Sequence, residues 1–86
     1  MTQYRVSPNV RWVVDRYTVT VTDGRGTMRT LNYPEAAVWD LFTRGTQYDK
    51  VVAMVGHVAS LDAAASEQVV RDSIDDWTHS GFLETS

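Results

Sequence analysis

The chain has 86 residues, enough for one domain and too few for two, and we therefore expect residues 1–86 to form a single domain. It contains no cysteine, which excludes disulfides, thiol catalysis and cysteine-ligated zinc and is typical of a reducing compartment. No apolar run has the length of a signal sequence or a membrane span, so the sequence predicts a cytoplasmic protein without membrane contact.

Charge is distributed unevenly along the sequence, although the net charge is only −3. Residues 1–33 carry five arginines against two aspartates, whereas residues 34–86 carry three cations against nine acids. Two interpretations remain open. Either the two parts attract each other in the fold, or both are solvated surface, which is the commoner situation.

The first part of the chain predicts β-structure. Residues 10–14 are β-branched, aromatic or basic, and residues 17–22 alternate strictly with threonine, so both segments predict strands that meet at the polar pair 15–16. Residues 23–26 read Asp-Gly-Arg-Gly, and Asp-Gly favours a hairpin because the central positions of that turn need positive φ. Residues 27–32 then form the returning strand of a three-stranded antiparallel meander.

After this meander the apolar residues recur at helical spacing, and three helices are predicted. They run over residues 34–42, from Thr46 or Gln47 to Gly56, and from Ser66 to Gly81. Asn32 is expected to cap the first helix and Gly45 to end it. The predicted fold is α+β, a three-stranded antiparallel meander followed by three helices, and it is winged helix-turn-helix-like. Three tryptophans are expected in its core: Trp12, Trp39 and Trp77.

Residue types that carry catalysis or bind metals are few and scattered. His57 and His79 lie on different predicted helices, and a metal site needs three or four converging ligands. Asp72, Asp75 and Asp76 have no base or apolar pocket in view that would tune them, so they are interpreted as solvated. The glycine-rich turn precedes a strand and lacks the dinucleotide spacing, which excludes a phosphate loop. The sequence therefore predicts no catalytic residue, no metal and no cofactor.

A winged-helix DNA-binding regulator is the first alternative function. A helix that approaches phosphates needs lysine and arginine. The third predicted helix offers Arg71 against four acids. This charge argues against binding to nucleic acid.

An ordered set of short signals spans roughly residues 4–84. It comprises Val10-Arg11-Trp12, the Asp-Gly hairpin, Leu31-Asn32, then Ala36, Ala37, Val38, Trp39 and Leu41 with Gly45 after them, and finally Val70, Ile74, Trp77, Gly81, Phe82 and Leu83. In this order the chain resembles the PqqD-like family, the recognition elements of ribosomally synthesised, modified peptides. Three features depart from the family pattern. The second helix reads Lys50-Val-Val-Ala-Met54 where the family often has Glu-Ile-x-x-x-Leu, and Trp77 stands where leucine is usual. The loop before the third helix is unusually rich in alanine.

The resemblance implies a non-catalytic domain that binds the leader peptide of a precursor. In such domains the leader adds as an extra strand to the third strand of the meander, in the groove between that strand and the third helix. The bound peptide is then presented to a separate modifying enzyme, such as a radical enzyme with an iron–sulfur cluster, a protease or a cyclase. The departures leave open which product the chain serves.

The third predicted strand has one free edge without proline or lysine, which an extended peptide can pair with. The candidate peptide-binding residues are Thr27, Met28, Arg29, Thr30 and Leu31 on that strand and Val69, Ser73 and Asp76 on the third helix. Arg29 is expected to meet an acidic leader residue. Core packing remains the alternative for Met28, Leu31 and Val69. The second alternative function is an edge-to-edge homodimer with a structural role, formed through the same strand.

Overall fold

A computed structural model describes residues 4–85 of the chain. In chain order its elements are β1 (Tyr4–Val6), β2 (Arg11–Asp15), β3 (Thr18–Thr22), β4 (Met28–Leu31), α1 (Glu35–Thr43), α2 (Tyr48–Val58), α3 (Ala63–His79) and β5 (Leu83–Thr85). The predicted α+β fold, a meander followed by three helices, is confirmed. The short strands β1 and β5 were not predicted.

The meander is an antiparallel sheet in the order β2-β3-β4, so that β2 and β4 are its two edge strands. Val19 and Val21 of the central strand are almost fully buried, while the threonines between them lie on the opposite face. Leu31 of β4 lies beside Val19 and is buried as well. The inner face of the sheet thus contributes apolar side chains to the core, as the alternation in sequence indicates.

A second, two-stranded sheet joins the two ends of the described chain. β1 pairs antiparallel with β5, and the guanidinium of Arg5 lies 2.8 Å from the carboxylate of Glu84 across this pair. Phe82 and Leu83 are each 3% exposed, so the chain returns to the core after α3. Its consequence is that the C-terminal end of α3 is fixed against the rest of the domain.

Trp39 of α1 lies at the centre of the aromatic core. Its ring makes edge-on contacts with Trp77 at 5.2 Å, with Trp12 at 5.7 Å and with Phe82 at 6.5 Å between centroids. Trp39 and Trp77 are buried as predicted. The prediction for Trp12 is wrong, because this side chain is 37% exposed. It lies on an edge strand and covers the core from one side only.

The helix starts differ from the prediction at two points. The side chain of Asn32 does not cap α1, and Pro34 is the N-cap residue. The backbone carbonyl of Asn32 accepts the N–H of Ala36 at 2.9 Å. α3 begins at Ala63, three residues before the predicted Ser66, because the carboxylate of Asp62 caps it by accepting a first-turn N–H at 2.7 Å. An aspartate at this position satisfies an otherwise unpaired donor.

Glycines have two different roles at the helices. Gly45 and Gly81 adopt φ of 84° and 83° directly after α1 and α3, and both predicted helix ends are confirmed. Gly56, however, lies inside α2, where an added Cβ would be 3.3 Å from the Cβ of Ser66. The buried hydroxyl of Ser66 donates to the carbonyl of Val52 at 2.5 Å. Gly56 therefore allows α2 and α3 to approach closely, which fixes the position of α3.

Candidate peptide-binding groove

A groove of about 350 Å³ lies between the edge strand β4 and helix α3. It is lined by Arg29, Thr30, Leu31, Glu35, Val69, Asp72, Ser73, Asp76 and Trp77. The floor is formed by Leu31, Ser73 and Trp77, which are all nearly inaccessible to solvent. The rim is polar and exposed. A concave site with a buried floor and several convergent polar groups is a candidate binding site.

The backbone of β4 presents unpaired hydrogen-bonding groups beside this groove. In an antiparallel pair, bonded and non-bonded residue pairs alternate. The N–H of Asp23 donates to the carbonyl of Thr27 at 3.0 Å, so these two residues form a bonded pair. The next bonded pairs along the two strands are therefore those of β4 residues Arg29 and Leu31 with their β3 partners. Met28 and Thr30 belong to the non-bonded pairs. Their N–H and C=O groups therefore point away from β3, towards the free edge.

The wall opposite β4 is one face of α3. Val69, Ser73 and Asp76 recur at helical spacing and all line the groove. The hydroxyl of Ser73 donates to the carbonyl of Val69 at 2.7 Å, so its polarity is satisfied within the helix. The stripe of α3 that holds this wall in place is buried: Val70, Ile74 and Trp77. The position of the groove wall thus follows from the packing of the core stripe beside it.

Six of the eight sequence-predicted site residues meet in the groove: Arg29, Thr30, Leu31, Val69, Ser73 and Asp76. Thr27 and Met28 do not line it. Met28 is the first residue of β4 and is 68% exposed, and Thr27 precedes the strand, in the loop of the hairpin. Leu31 belongs to both the core and the groove floor, so the two interpretations of this residue are not exclusive. Whether these residues bind a peptide remains a prediction.

Three lining residues were missed by the sequence reasoning. Trp77 was expected only in the core, and Asp72 was interpreted as solvated, although its spacing of three from Val69 places it on the same helix face. Glu35, at the start of α1, closes the groove through the tertiary fold. No sequence signal marks it, since it comes from a different helix.

The groove carries more negative than positive charge. Its lining contains one arginine against three carboxylates. Arg29 is already engaged: its guanidinium pairs with the carboxylate of Asp76, donates to the hydroxyl of Ser80 at 3.2 Å and lies 5.9 Å above the ring of Phe82. An acidic leader residue would have to displace Asp76 from Arg29. Glu35 and Asp72 give the remaining rim a negative potential, which favours a basic residue in the ligand.

Residues 4–85 contain no group of three or more histidines, aspartates or glutamates placed to hold a metal ion. Asp72 accepts a hydrogen bond from the side chain of Gln68 at 2.7 Å, as a solvated surface carboxylate does. Within the same range, no helix is long and apolar enough to cross a membrane. The groove therefore offers backbone hydrogen-bonding groups, apolar contacts and charged side chains.

Two solved structures are similar to this one. TbiB1 in complex with the TbiA(beta) leader peptide matches with a TM-score of 0.86 at 21% sequence identity, over 93% of this chain and 94% of that chain. Lasso peptide synthetase B1 complexed with the leader peptide matches with a TM-score of 0.86 at 17% identity, over 95% of this chain and 98% of that chain. No protein-family model and no curated protein matches the sequence. The chain therefore has the fold of these two proteins.

Proposed function

We propose that residues 1–86 form a single leader-peptide-binding domain of the PqqD-like kind, which binds the leader of a ribosomally synthesised precursor and presents it to a separate modifying enzyme. The observation that carries this proposal is the free edge of β4 beside the groove. An extended peptide that adds to this edge gains backbone hydrogen bonds at Met28 and Thr30, and its side chains enter the groove at alternate positions.

The comparisons support the same function. Both similar structures are of proteins complexed with leader peptides, and both cover nearly the whole of this chain. Although sequence identity is low, the fold is shared over 93% and 95% of this chain. The modifying enzyme is proposed to be a radical enzyme, a protease or a cyclase, in line with the resemblance.

The residues that line the groove indicate which side chains a bound peptide should carry. A strand added to β4 directs alternate side chains towards Leu31 and Trp77, and an apolar side chain there is removed from water. The neighbouring position faces Glu35 and Asp72, where lysine or arginine is favoured over an acidic residue. We expect an apolar anchor with a basic residue close to it.

The domain is proposed to act without catalysis. Holding a precursor beside an enzyme raises the local concentration of the reacting segment, up to about millimolar for a short tether, with no new contact at the reacting atoms. The isolated domain should therefore leave the leader peptide unchanged in mass after prolonged incubation. A covalent change that disappears when Asp72 or Asp76 is replaced would overturn this part of the proposal.

Amide hydrogen exchange tests the binding mode directly. The probe is the synthetic leader of a short precursor, taken from the neighbouring genes if one is encoded there, with a scrambled peptide of the same composition as control. On binding, the N–H groups of Met28 and Thr30 should become protected, whereas those of Arg29 and Leu31 are already bonded to β3 and should change little. If the leader binds without protecting Met28 and Thr30, strand addition to β4 is wrong. If it binds no better than the scrambled peptide, leader recognition is wrong.

The two alternative functions are a DNA-binding regulator and a structural homodimer. A DNA-binding regulator would use α3. The exposed face of this helix carries four acids and one arginine, Arg71, which pairs with Glu67. A helix with this charge repels phosphates. A structural homodimer through β4 would use the same edge as the peptide. Light scattering separates it from leader binding, since added leader would convert such a dimer into peptide-bound monomers.

A further inference from the structure

The meander has a second free edge, along β2. All five residues of this strand are exposed, including Trp12 at 37%, Val13 at 69% and Val14 at 53%. Proline, lysine or a bulge would block such an edge, and β2 contains none of them. An apolar edge strand of this kind pairs readily with another strand.

The hydrogen-bonding groups on this edge follow from the register. Val19 and Val21 bond to β4, so the threonines of β3 bond to β2 in the pairs Val13–Thr20, Arg11–Thr22 and Asp15–Thr18. Trp12 and Val14 lie in the non-bonded pairs. Their N–H and C=O groups therefore point outward, two residues apart.

We propose that β2 pairs antiparallel with β2 of a second copy of this chain, about a two-fold axis at Val13. In this register the backbone N–H and C=O of Trp12 in one copy bond to those of Val14 in the other copy. Val14 of the first copy bonds in the same way to Trp12 of the second, so all outward backbone groups of both residues are satisfied. Val13 faces Val13 across the axis. The result is a continuous six-stranded sheet in which β4 lies at each outer edge.

Charge complementarity selects a second copy as the occupant. With Val13 on the axis, Arg11 lies directly opposite Asp15 of the other copy, and this cross-strand pair occurs twice. Neither Arg11 nor Asp15 takes part in an ion pair with another described residue. A shift of the register by two residues separates these charges and leaves half of the outward backbone groups unpaired.

The pairing also covers apolar surface on the inner face. Trp12 and Val14 lie on the same face as the buried valines of β3, and each meets the other across the new strand pair. The contact is small compared with a permanent interface, so the dimer is expected to be weak and dependent on concentration. Because the groove lies at the opposite edge, each copy keeps its peptide site, and the inference does not depend on leader binding.

The absence of cysteine allows a direct test by cross-linking. Val13→Cys introduces a single thiol at the axis, in a non-bonded pair whose Cα atoms lie about 4.5 Å apart, within the range that a disulfide spans. Mild oxidation should give a disulfide-linked dimer. Thr20→Cys, the neighbour of Val13 on the central strand, and Thr30→Cys on the β4 edge are the matched controls and should remain mostly monomeric. Cross-linking of Thr30→Cys in preference to Val13→Cys would overturn the proposal.

Sedimentation equilibrium of the unmodified chain supplies the second measurement. Val14→Pro removes an outward donor from each copy and should raise the dimer dissociation constant by about tenfold or more, while Thr30→Pro should leave it unchanged. Arg11→Asp and Asp15→Arg should each weaken the dimer, and the double exchange should restore it. A chain that remains monomeric at all concentrations, or a double exchange weaker than either single variant, would overturn the proposal.

Discussion

Replacement of Thr30 by proline isolates the contribution of the β4 edge to leader binding. The N–H of Thr30 points away from β3, so proline removes no hydrogen bond from the folded domain. Proline is tolerated on an edge strand at such a position, and Thr30 is exposed. The folded state should therefore be retained, whereas an incoming strand loses a donor and meets the proline ring.

The size of the effect follows from the number of hydrogen bonds at risk. A backbone hydrogen bond contributes a net free energy of about 0.5–1.5 kcal/mol. The ring displaces the peptide from the carbonyl of Thr30 as well, so two bonds are affected and the loss is about 1–3 kcal/mol. This corresponds to a leader affinity reduced by roughly 5- to 150-fold.

Calorimetric titration of the leader into each variant is the assay, and thermal melting verifies that each variant is folded. Val14→Pro is the matched control, because it places the same residue at an outward position on the other free edge of the same sheet. Thr30→Val keeps the N–H and should bind the leader nearly as well as the original chain. Wild-type affinity of Thr30→Pro, or an equal loss in Val14→Pro, would refute the reasoning.

Three further predictions concern the groove wall and the helices that position it. Val69→Ala should weaken leader binding several-fold in calorimetry, whereas Val58→Ala, at an exposed position of α2, should not. Arg29→Ala should lower the free energy of unfolding by less than about 1 kcal/mol, since its pair with Asp76 is partly exposed to solvent, and in denaturant titrations the difference should shrink at high salt; a loss independent of salt would instead indicate packing of the arginine stem on Phe82. Asp62→Ala should cost about 1 kcal/mol through loss of the α3 cap and Asp62→Asn much less, and equal unfolding midpoints for the two variants would contradict the capping role.

Most of the fold could be predicted from the sequence, because the strongest periodic signals lie within single strands, turns and helices. Strict alternation in β3 and the glycine-rich turn after it define the meander, and glycines with positive φ end α1 and α3. The reason given for the turn was wrong, because neither Asp23 nor Gly24 adopts a positive φ; the residue that does is Gly26, at 85°. The sheet of β1 and β5 was not predictable in the same way. Each strand has three residues, too few for a period, and they pair across almost the full length of the chain. Only tertiary packing brings them together.

The part of the candidate site that depends on spacing within one element and on strand order could be predicted from the sequence. Helical spacing placed Val69, Ser73 and Asp76 on one face, and the order of the strands left β4 with a free edge. The partner of Arg29 was missed because Asp76 is remote in sequence, and the ion pair exists only when α3 lies beside β4. Glu35 was missed for the same reason. Pairings between elements depend on the fold, which the spacing within one element does not encode.

The two free edges of the meander differ in what lies beside them, and this difference is the reason for proposing a different partner for each edge. An added strand on either edge gains backbone hydrogen bonds, but these bonds are the same for every sequence. Selection of one peptide requires side-chain contacts, and only β4 has a helix wall and a buried floor next to its edge. β2 offers open surface with Arg11 and Asp15 at its two ends, an arrangement that is complementary to an identical strand in reverse. The proposed leader site on β4 and the proposed self-pairing of β2 therefore use different edges, so one small sheet would serve both without competition.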